Sequence, residues 1–103
     1  MQTLCAYYNP KIHSVNHLAE TLIELSCGSN SGIDQSGITD LKNLQKLSAP
    51  HNPKIISVNH LAETLIELNC DFDSGIDQAG IADLRKLQKL SAYQNPQITS
   101  VNH

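Results

Sequence analysis

The chain of 103 residues has no tryptophan and only four other aromatic residues, so its hydrophobic core has to be built from aliphatic side chains. It also lacks the run of about 18 apolar residues that a membrane-spanning helix requires. Its first residues contain no basic segment followed by an apolar stretch, and we therefore expect no signal peptide. These absences favour one small domain that works away from a membrane.

Basic residues are few and scattered. Seven Lys and Arg stand against ten Asp and Glu, which gives a net charge of −3. A protein that binds nucleic acid through phosphates needs clustered Lys and Arg. We therefore expect no nucleic-acid partner.

The three cysteines are an odd number for a short chain, and a secreted disulfide framework usually has an even number. This count favours a reducing, intracellular and cytoplasmic location. Cys27 and Cys70 are predicted to be small buried residues that lie too far apart for a disulfide. Cys5 is predicted to be an exposed thiol.

An internal repeat dominates the chain. Residues 4–46 align with residues 47–89, and 31 of the 43 pairs are identical. A third copy begins at Leu90. Each unit divides again, because LIELSCGSN, LQKLSAPHN, LIELNCDFD and LQKLSAYQN share the skeleton Leu-x-x-Leu-x-small-x-x-Asn, with one Asp in the last place. The resulting repeats cover residues 1–21, 22–43, 44–64, 65–86 and 87–103.

This skeleton resembles the leucine-rich repeat family, whose signature is L-x-x-L-x-L-x-x-N/C-x-L at a similar spacing. The resemblance covers essentially the whole chain, although Ala or Cys occupies the third apolar position. It implies an α/β solenoid in one domain, with a parallel β-sheet on the concave face and short helices or helical turns on the convex face. Leu-x-Leu alternation independently predicts short strands with one buried face.

Polar residues are predicted to hold the turns. The Asn residues that follow the strands are expected to bond turn backbone and to stack as a ladder, with the weakest rung at Asp73. The expected ladder residues are Asn9, Asn30, Asn52 and Asn95. Ser14, Ser57, Asp34 and Asp77 are residue types that cap helix N-termini.

Differences between the copies concentrate in the pair of residues directly after each strand. The pairs are Tyr7-Tyr8, Gly28-Ser29, Pro50-His51, Asp71-Phe72 and Tyr93-Gln94, and they include every aromatic residue of the chain. Tyr supplies a large contact area at low entropic cost. We therefore predict that the chain binds a protein partner through this variable rim and the concave face. The predicted contact residues are Tyr7, Tyr8, Ser29, His51, Asp71, Phe72, Tyr93 and Gln94; unconstrained drift of exposed positions is the alternative.

In each repeat from residue 22 onward, the residue directly before the second Leu is charged. These residues alternate between Glu and Lys, at Glu24, Lys46, Glu67 and Lys89. Neighbouring strands lie about 4.8 Å apart, so these charges are expected to form a ladder that leaves the face nearly neutral.

We find no residues that predict catalysis, a metal or a cofactor. His17, His60 and His103 are equivalent positions about 10 Å apart, which is too far for one metal to bridge. No nucleophile, base and acid can be assembled into an active site. The sequence therefore predicts that the protein is not an enzyme.

The ends lack the polar capping repeats that repeat arrays need. Leu4 and Ala6 at one end, and Leu87, Leu90 and Ala92 at the other, are expected to be partly exposed. One explanation is that the chain is a piece of a longer array, natural or of consensus-like engineered sequence. The other is that it is a self-assembling scaffold whose copies associate through these residues.

Overall fold

The computed structural model describes residues 2–28, 31–72 and 74–98. Five short strands form one parallel sheet in the order of the sequence. They are β1 (Gln2–Cys5), β2 (Leu22–Ser26), β3 (Lys46–Ser48), β4 (Glu67–Asn69) and β5 (Lys89–Ser91). Each strand therefore belongs to one predicted repeat, and the prediction of a parallel sheet is confirmed.

Equivalent leucines pair across the sheet. Leu4 lies opposite Leu25, followed by Leu47, Leu68 and Leu90 in successive strands. Because successive side chains of a strand point to opposite faces, this register puts these leucines on the core side and leaves their neighbours on the outer face. Leu25, Leu47 and Leu68 are each 2% exposed.

The core lies on one side of the sheet and is entirely aliphatic apart from two cysteine side chains. Each inner repeat contributes leucines from its strand and isoleucine, valine or leucine from its return segment. Their burial supplies the main stabilising free energy, at about 25 cal/mol per Å² of apolar surface. One repeat alone has no apolar neighbour to cover these side chains, so stacking of the repeats creates the core.

The return segments contain single turns of 3₁₀ helix rather than α-helices. Among the described residues these turns are Asn16–Leu18, Gln35–Ile38, Asn59–Leu61 and Ala79–Ile81. The return is short, and 3₁₀ geometry covers more length per residue than an α-helix does. Short helical turns were expected, and this expectation is confirmed.

The capping prediction is correct for Asp34 and needs correction for Asp77 and the serines, because the N-cap residue of Ala79–Ile81 is Gln78. The Asp34 carboxylate accepts a hydrogen bond from Gly37 N at 2.9 Å, and Asp77 accepts the equivalent bond from Gly80 N at 2.8 Å. The serines instead precede the N-cap residues Val15 and Val58. The Ser14 hydroxyl accepts from Asn16 N at 3.2 Å, which makes a local turn instead of a cap.

The expected asparagine bonds form at two of the described positions, Asn52 and Asn95. Asn52 is buried, and its Nδ2 donates to the carbonyl oxygens of Cys27 at 2.6 Å and Ile33 at 3.1 Å. Asn95 makes the same two bonds to Cys70 and Ile76, at 2.8 and 3.1 Å. The rungs predicted at Asn30 and Asp73 lie outside the described residues.

A second set of amide side chains joins the return segments. Asn16 Nδ2 donates to Ser36 O at 2.8 Å, and Asn16 Oδ1 accepts from Asp40 N at 2.9 Å. Asn59 repeats both bonds one unit further along the chain, at the same distances. Gln35 continues the linkage, since its Oε1 accepts from the backbone of residues 56 and 57. These amides tie each return segment to the next, a role that sequence analysis did not assign.

The terminal apolar residues are partly buried, with one exception. Leu4, Leu87, Leu90 and Ala92 pack against the core with part of their surface exposed, as expected. The expectation for Ala6 is wrong, because it is only 1% exposed. Its N donates to Ser26 O at 2.7 Å, which draws the small methyl group against the second repeat.

No helix within the described ranges has the length and apolar character to cross a membrane.

Asn52→Asp is predicted to destabilise the fold by about 3 kcal/mol, because two buried carbonyls lose their N–H donor. The acceptor bond to Lys54 N, at 3.0 Å, is one that aspartate retains. Asn9→Asp is the matched control, since Asn9 is exposed and its side chain accepts from Lys11 N alone among the bonds described. Urea unfolding should show a control change within about 0.5 kcal/mol. Equal losses in the two variants would contradict the bridging role of Asn52.

Asp34→Asn is predicted to have a pH-dependent effect. Hydrogen bonds from the Ser36 hydroxyl and Gly37 N hold the pKa of the Asp34 carboxyl below its usual value. A pKa lower in the folded than in the unfolded state stabilises the protein above the unfolded pKa, and this contribution is lost as the pH falls through the folded pKa. The difference in urea midpoint between wild type and variant should therefore be largest above about pH 5 and shrink below about pH 4. A difference that stays constant with pH would exclude this contribution.

Candidate partner-binding surface

The turn after each strand places one side chain in the left-handed backbone region. Tyr8, His51, Phe72 and Gln94 have φ angles of 60°, 59°, 62° and 55°. They are the second members of four variable pairs. Residues other than glycine, asparagine and aspartate seldom adopt this conformation, which costs about 1–2 kcal/mol. The turn therefore presents these side chains at an energetic cost that glycine would avoid.

Three rings from successive repeats contact one another. His51 stacks on Phe72 with ring centroids 4.6 Å apart and an angle of 6° between the planes. Phe72 meets Tyr93 edge to face, with centroids 5.7 Å apart and an angle of 89°. We call His51, Phe72 and Tyr93 the ring cluster. Tyr93 is 64% exposed, so the cluster ends in an accessible ring.

The two remaining aromatic residues form a separate pair at the other end of the rim. Tyr7 and Tyr8 meet edge to face with centroids 6.4 Å apart. Tyr7 lies across the outer face of the sheet, and its hydroxyl is hydrogen-bonded to the Ser48 hydroxyl of the third repeat at 2.9 Å. Tyr8 points away and is 70% exposed. Of the two, Tyr8 has the more accessible side chain.

Asp71 lies beside the ring cluster and is held in place by its neighbours. Its Oδ1 accepts from the Ser91 hydroxyl at 2.6 Å and from Tyr93 N at 2.7 Å. Its own N donates to Asn69 Oδ1 at 3.1 Å. No ion pair to Asp71 occurs among the described residues. The rim therefore carries one oriented carboxylate that no lysine or arginine of the described chain neutralises.

An open groove of about 560 Å³ separates Tyr8 from His51. Pro10, Pro53 and Lys54 complete its described lining together with Ser31 and Asn52. Sequence analysis missed the two prolines and Lys54 because they are identical or equivalent in both copies, and only the variable positions drew attention. Ser29, a predicted contact residue, lies outside the described residues.

The first members of the variable pairs differ in exposure, since Tyr93 is 64% exposed whereas the other four are buried or half-buried. Gly28 is buried, and a Cβ atom there would overlap the carbonyl oxygen of Pro50. Pro50, Tyr7 and Asp71 are half-buried. The second members, including the exposed Gln94, account for much of the accessible rim. No residue type in the sequence marked this division, since the left-handed positions hold Tyr, His, Phe and Gln rather than glycine or asparagine.

The outer face of the sheet carries the predicted charge ladder. Lys46 Nζ lies 3.7 Å from Glu24 Oε1 and 3.9 Å from Glu67 Oε1, and Lys89 Nζ lies 3.6 Å from Glu67 Oε1. These pairs are largely exposed and stabilise the fold by at most a few tenths of a kcal/mol each. Their main consequence is that this face presents little net charge.

Cysteine and histidine provide no reactive centre among the described residues. Burial raises the pKa of the Cys27 and Cys70 thiols to about 12 each, so both remain protonated at neutral pH. Cys5 is free and exposed, as predicted. His60 Nε2 lies 3.0 Å from Ile38 O, and His103 lies outside the described residues. The described residues contain no cluster of His, Cys, Asp or Glu suited to a metal ion.

Comparisons with family models, with curated proteins and with solved structures find no match to this chain.

Tyr8→Gly is predicted to be more stable than Tyr8→Ala by about 1 kcal/mol, because alanine keeps the cost of the left-handed conformation and glycine removes it. Both variants lose the same ring contact with Tyr7, so their difference isolates the backbone contribution. Urea unfolding of the two variants measures it. An alanine variant at least as stable as the glycine variant would show that residue 8 carries no such cost in solution.

Proposed function

We propose that this chain is a leucine-rich-repeat solenoid that binds a protein partner without catalysis. The five-stranded parallel sheet and the short 3₁₀ turns support the fold assignment, together with the repeated Leu-x-x-Leu skeleton. Contact with the partner is made by the rim, defined by Tyr8, His51, Phe72, Tyr93 and Gln94, and by the adjoining outer face of the sheet.

The observation that carries this proposal is the row of four left-handed turn residues that are not glycine. Backbone cost of this kind concentrates at functional sites, where the side chain itself is needed. Glycine would relieve the cost at each position, yet the copies retain different side chains there, three of them with rings. Drift without selection for a surface would not favour large rings in these turns.

Apolar and aromatic contacts dominate the proposed recognition. The charges of the outer face are paired with one another, whereas Tyr8 and Tyr93 expose most of their surface. Exposed aromatic side chains are typical anchors of protein interfaces. A partner that brings apolar groups to the rim therefore removes this surface from water.

The test is a selection of displayed random peptides against the wild-type chain and against a variant with Tyr7, Tyr8, Phe72 and Tyr93 all changed to Ser. Serine is chosen because it keeps these positions polar and short. We expect peptides that bind wild type and lose binding in the variant. The control is the urea midpoint of the variant, which should stay within the range of a cooperatively folded protein.

Two outcomes would overturn the proposal. Selected peptides that bind wild type and variant equally would exclude the rim as the contact surface, and loss of cooperative unfolding would show that the rings are structural.

Light scattering of the chain over a range of concentrations accompanies the selection. A mass that rises in steps would favour the self-assembling scaffold, in which Leu4, Leu87, Leu90 and Ala92 meet between copies.

A further inference from the structure

We propose that the partner inserts an arginine side chain at the end of the rim, where its guanidinium stacks on Tyr93 and pairs with the Asp71 carboxylate. This inference rests on the proposed function, and it names the chemical group that the rim selects. The Asp71 site, defined as Asp71, Phe72 and Tyr93, lies in the fourth and fifth repeats, whose contacts are described above.

Hydrogen bonds hold the Asp71 carboxylate in one orientation. Two donors, the Ser91 hydroxyl and Tyr93 N, both bond Oδ1, and the described hydrogen bonds place no donor on Oδ2. The carboxylate is therefore fixed without being neutralised. A fixed acceptor binds a donor at a lower entropic cost than a mobile one does.

The negative charge of Asp71 also favours a cationic group on the partner. Lys46 and Lys89, the lysines of the outer face, are both engaged with glutamates of that face. Asp71 is half-buried and forms no ion pair among the described residues. A cationic group on the partner would neutralise it, and the net charge of −3 favours the approach of such a group.

Ring geometry selects arginine over lysine. Tyr93 meets Phe72 edge to face and is 64% exposed, so a substantial part of its side chain remains accessible. A guanidinium is planar, stacks on an aromatic face and still directs N–H groups sideways to a carboxylate. An ammonium is strongly hydrated and has no flat surface for stacking. The combination of a ring and an adjacent oriented carboxylate therefore suits arginine better.

The experiment uses random-peptide display against the wild-type chain, followed by synthesis of the selected peptides with each arginine replaced by citrulline. Citrulline keeps the planar shape and loses the charge. We expect arginine to be enriched, and its replacement to weaken binding to wild type about tenfold. In Asp71→Asn, which retains an acceptor oxygen for Ser91 and Tyr93 N, the same replacement should have an effect of twofold or less.

The matched control is Asp40→Asn, which removes one negative charge from an exposed position just after a return-segment turn, away from the rim and the outer face. It should leave the effect of citrulline unchanged, and higher salt should weaken the arginine peptides more than the citrulline peptides. Peptides that depend on the aromatic rim but show no arginine enrichment would overturn this inference and leave the proposed function standing. An equal effect of citrulline in wild type and Asp71→Asn would also overturn it. A selection without rim-dependent peptides would overturn both.

Discussion

The fold depends on one constraint that the described residues show twice: a repeat leaves buried carbonyl groups that the next repeat along the chain must bond. The Nδ2 groups of Asn52 and Asn95 reach back to the end of the preceding strand and to its turn. On the opposite side, Asn16 and Asn59 link successive return segments. A buried carbonyl without a donor costs more than a hydrogen bond contributes, so these amides set the register between repeats as firmly as the leucines do.

This constraint also explains why the residue before the asparagine can differ from one repeat to the next. The asparagine must lie directly after the variable pair, and its side chain must point inward to reach the neighbouring carbonyls. The backbone closes this turn by taking the left-handed region one residue earlier, at Tyr8, His51, Phe72 and Gln94. The side chain of that residue then points away from the core, where packing places no limit on its type. The energetic cost of the turn and the freedom of its side chain thus have one origin.

The sequence predicted the parts of the molecule that periodicity determines. Leucine spacing placed the strands and the core, and the Glu and Lys alternation predicted the ion pairs of the outer face. It did not predict the left-handed turn residues, because their identities carry no backbone signature. It also did not predict that Asn16, Asn59 and Gln35 bond neighbouring return segments. These positions are identical in both copies, and identity alone does not show whether a side chain is buried, bridges two segments or makes no contact. Ala6 was placed at an exposed end because sequence spacing does not show how closely a small methyl group approaches the next repeat.

The charges of the outer face and the charge of Asp71 are arranged differently. On the outer face, Glu24, Lys46, Glu67 and Lys89 neutralise one another, because the repeat places opposite charges on neighbouring strands. Asp71 departs from this pattern. Asp71 of the fourth repeat is equivalent to Gly28 of the second repeat. The fourth repeat therefore has a carboxylate at a position where the second repeat has no side chain. The hydrogen bonds from Ser91 and Tyr93 that hold this carboxylate orient it without cancelling its charge. One directional charge therefore lies beside the aromatic rings, and it would orient the partner that we propose.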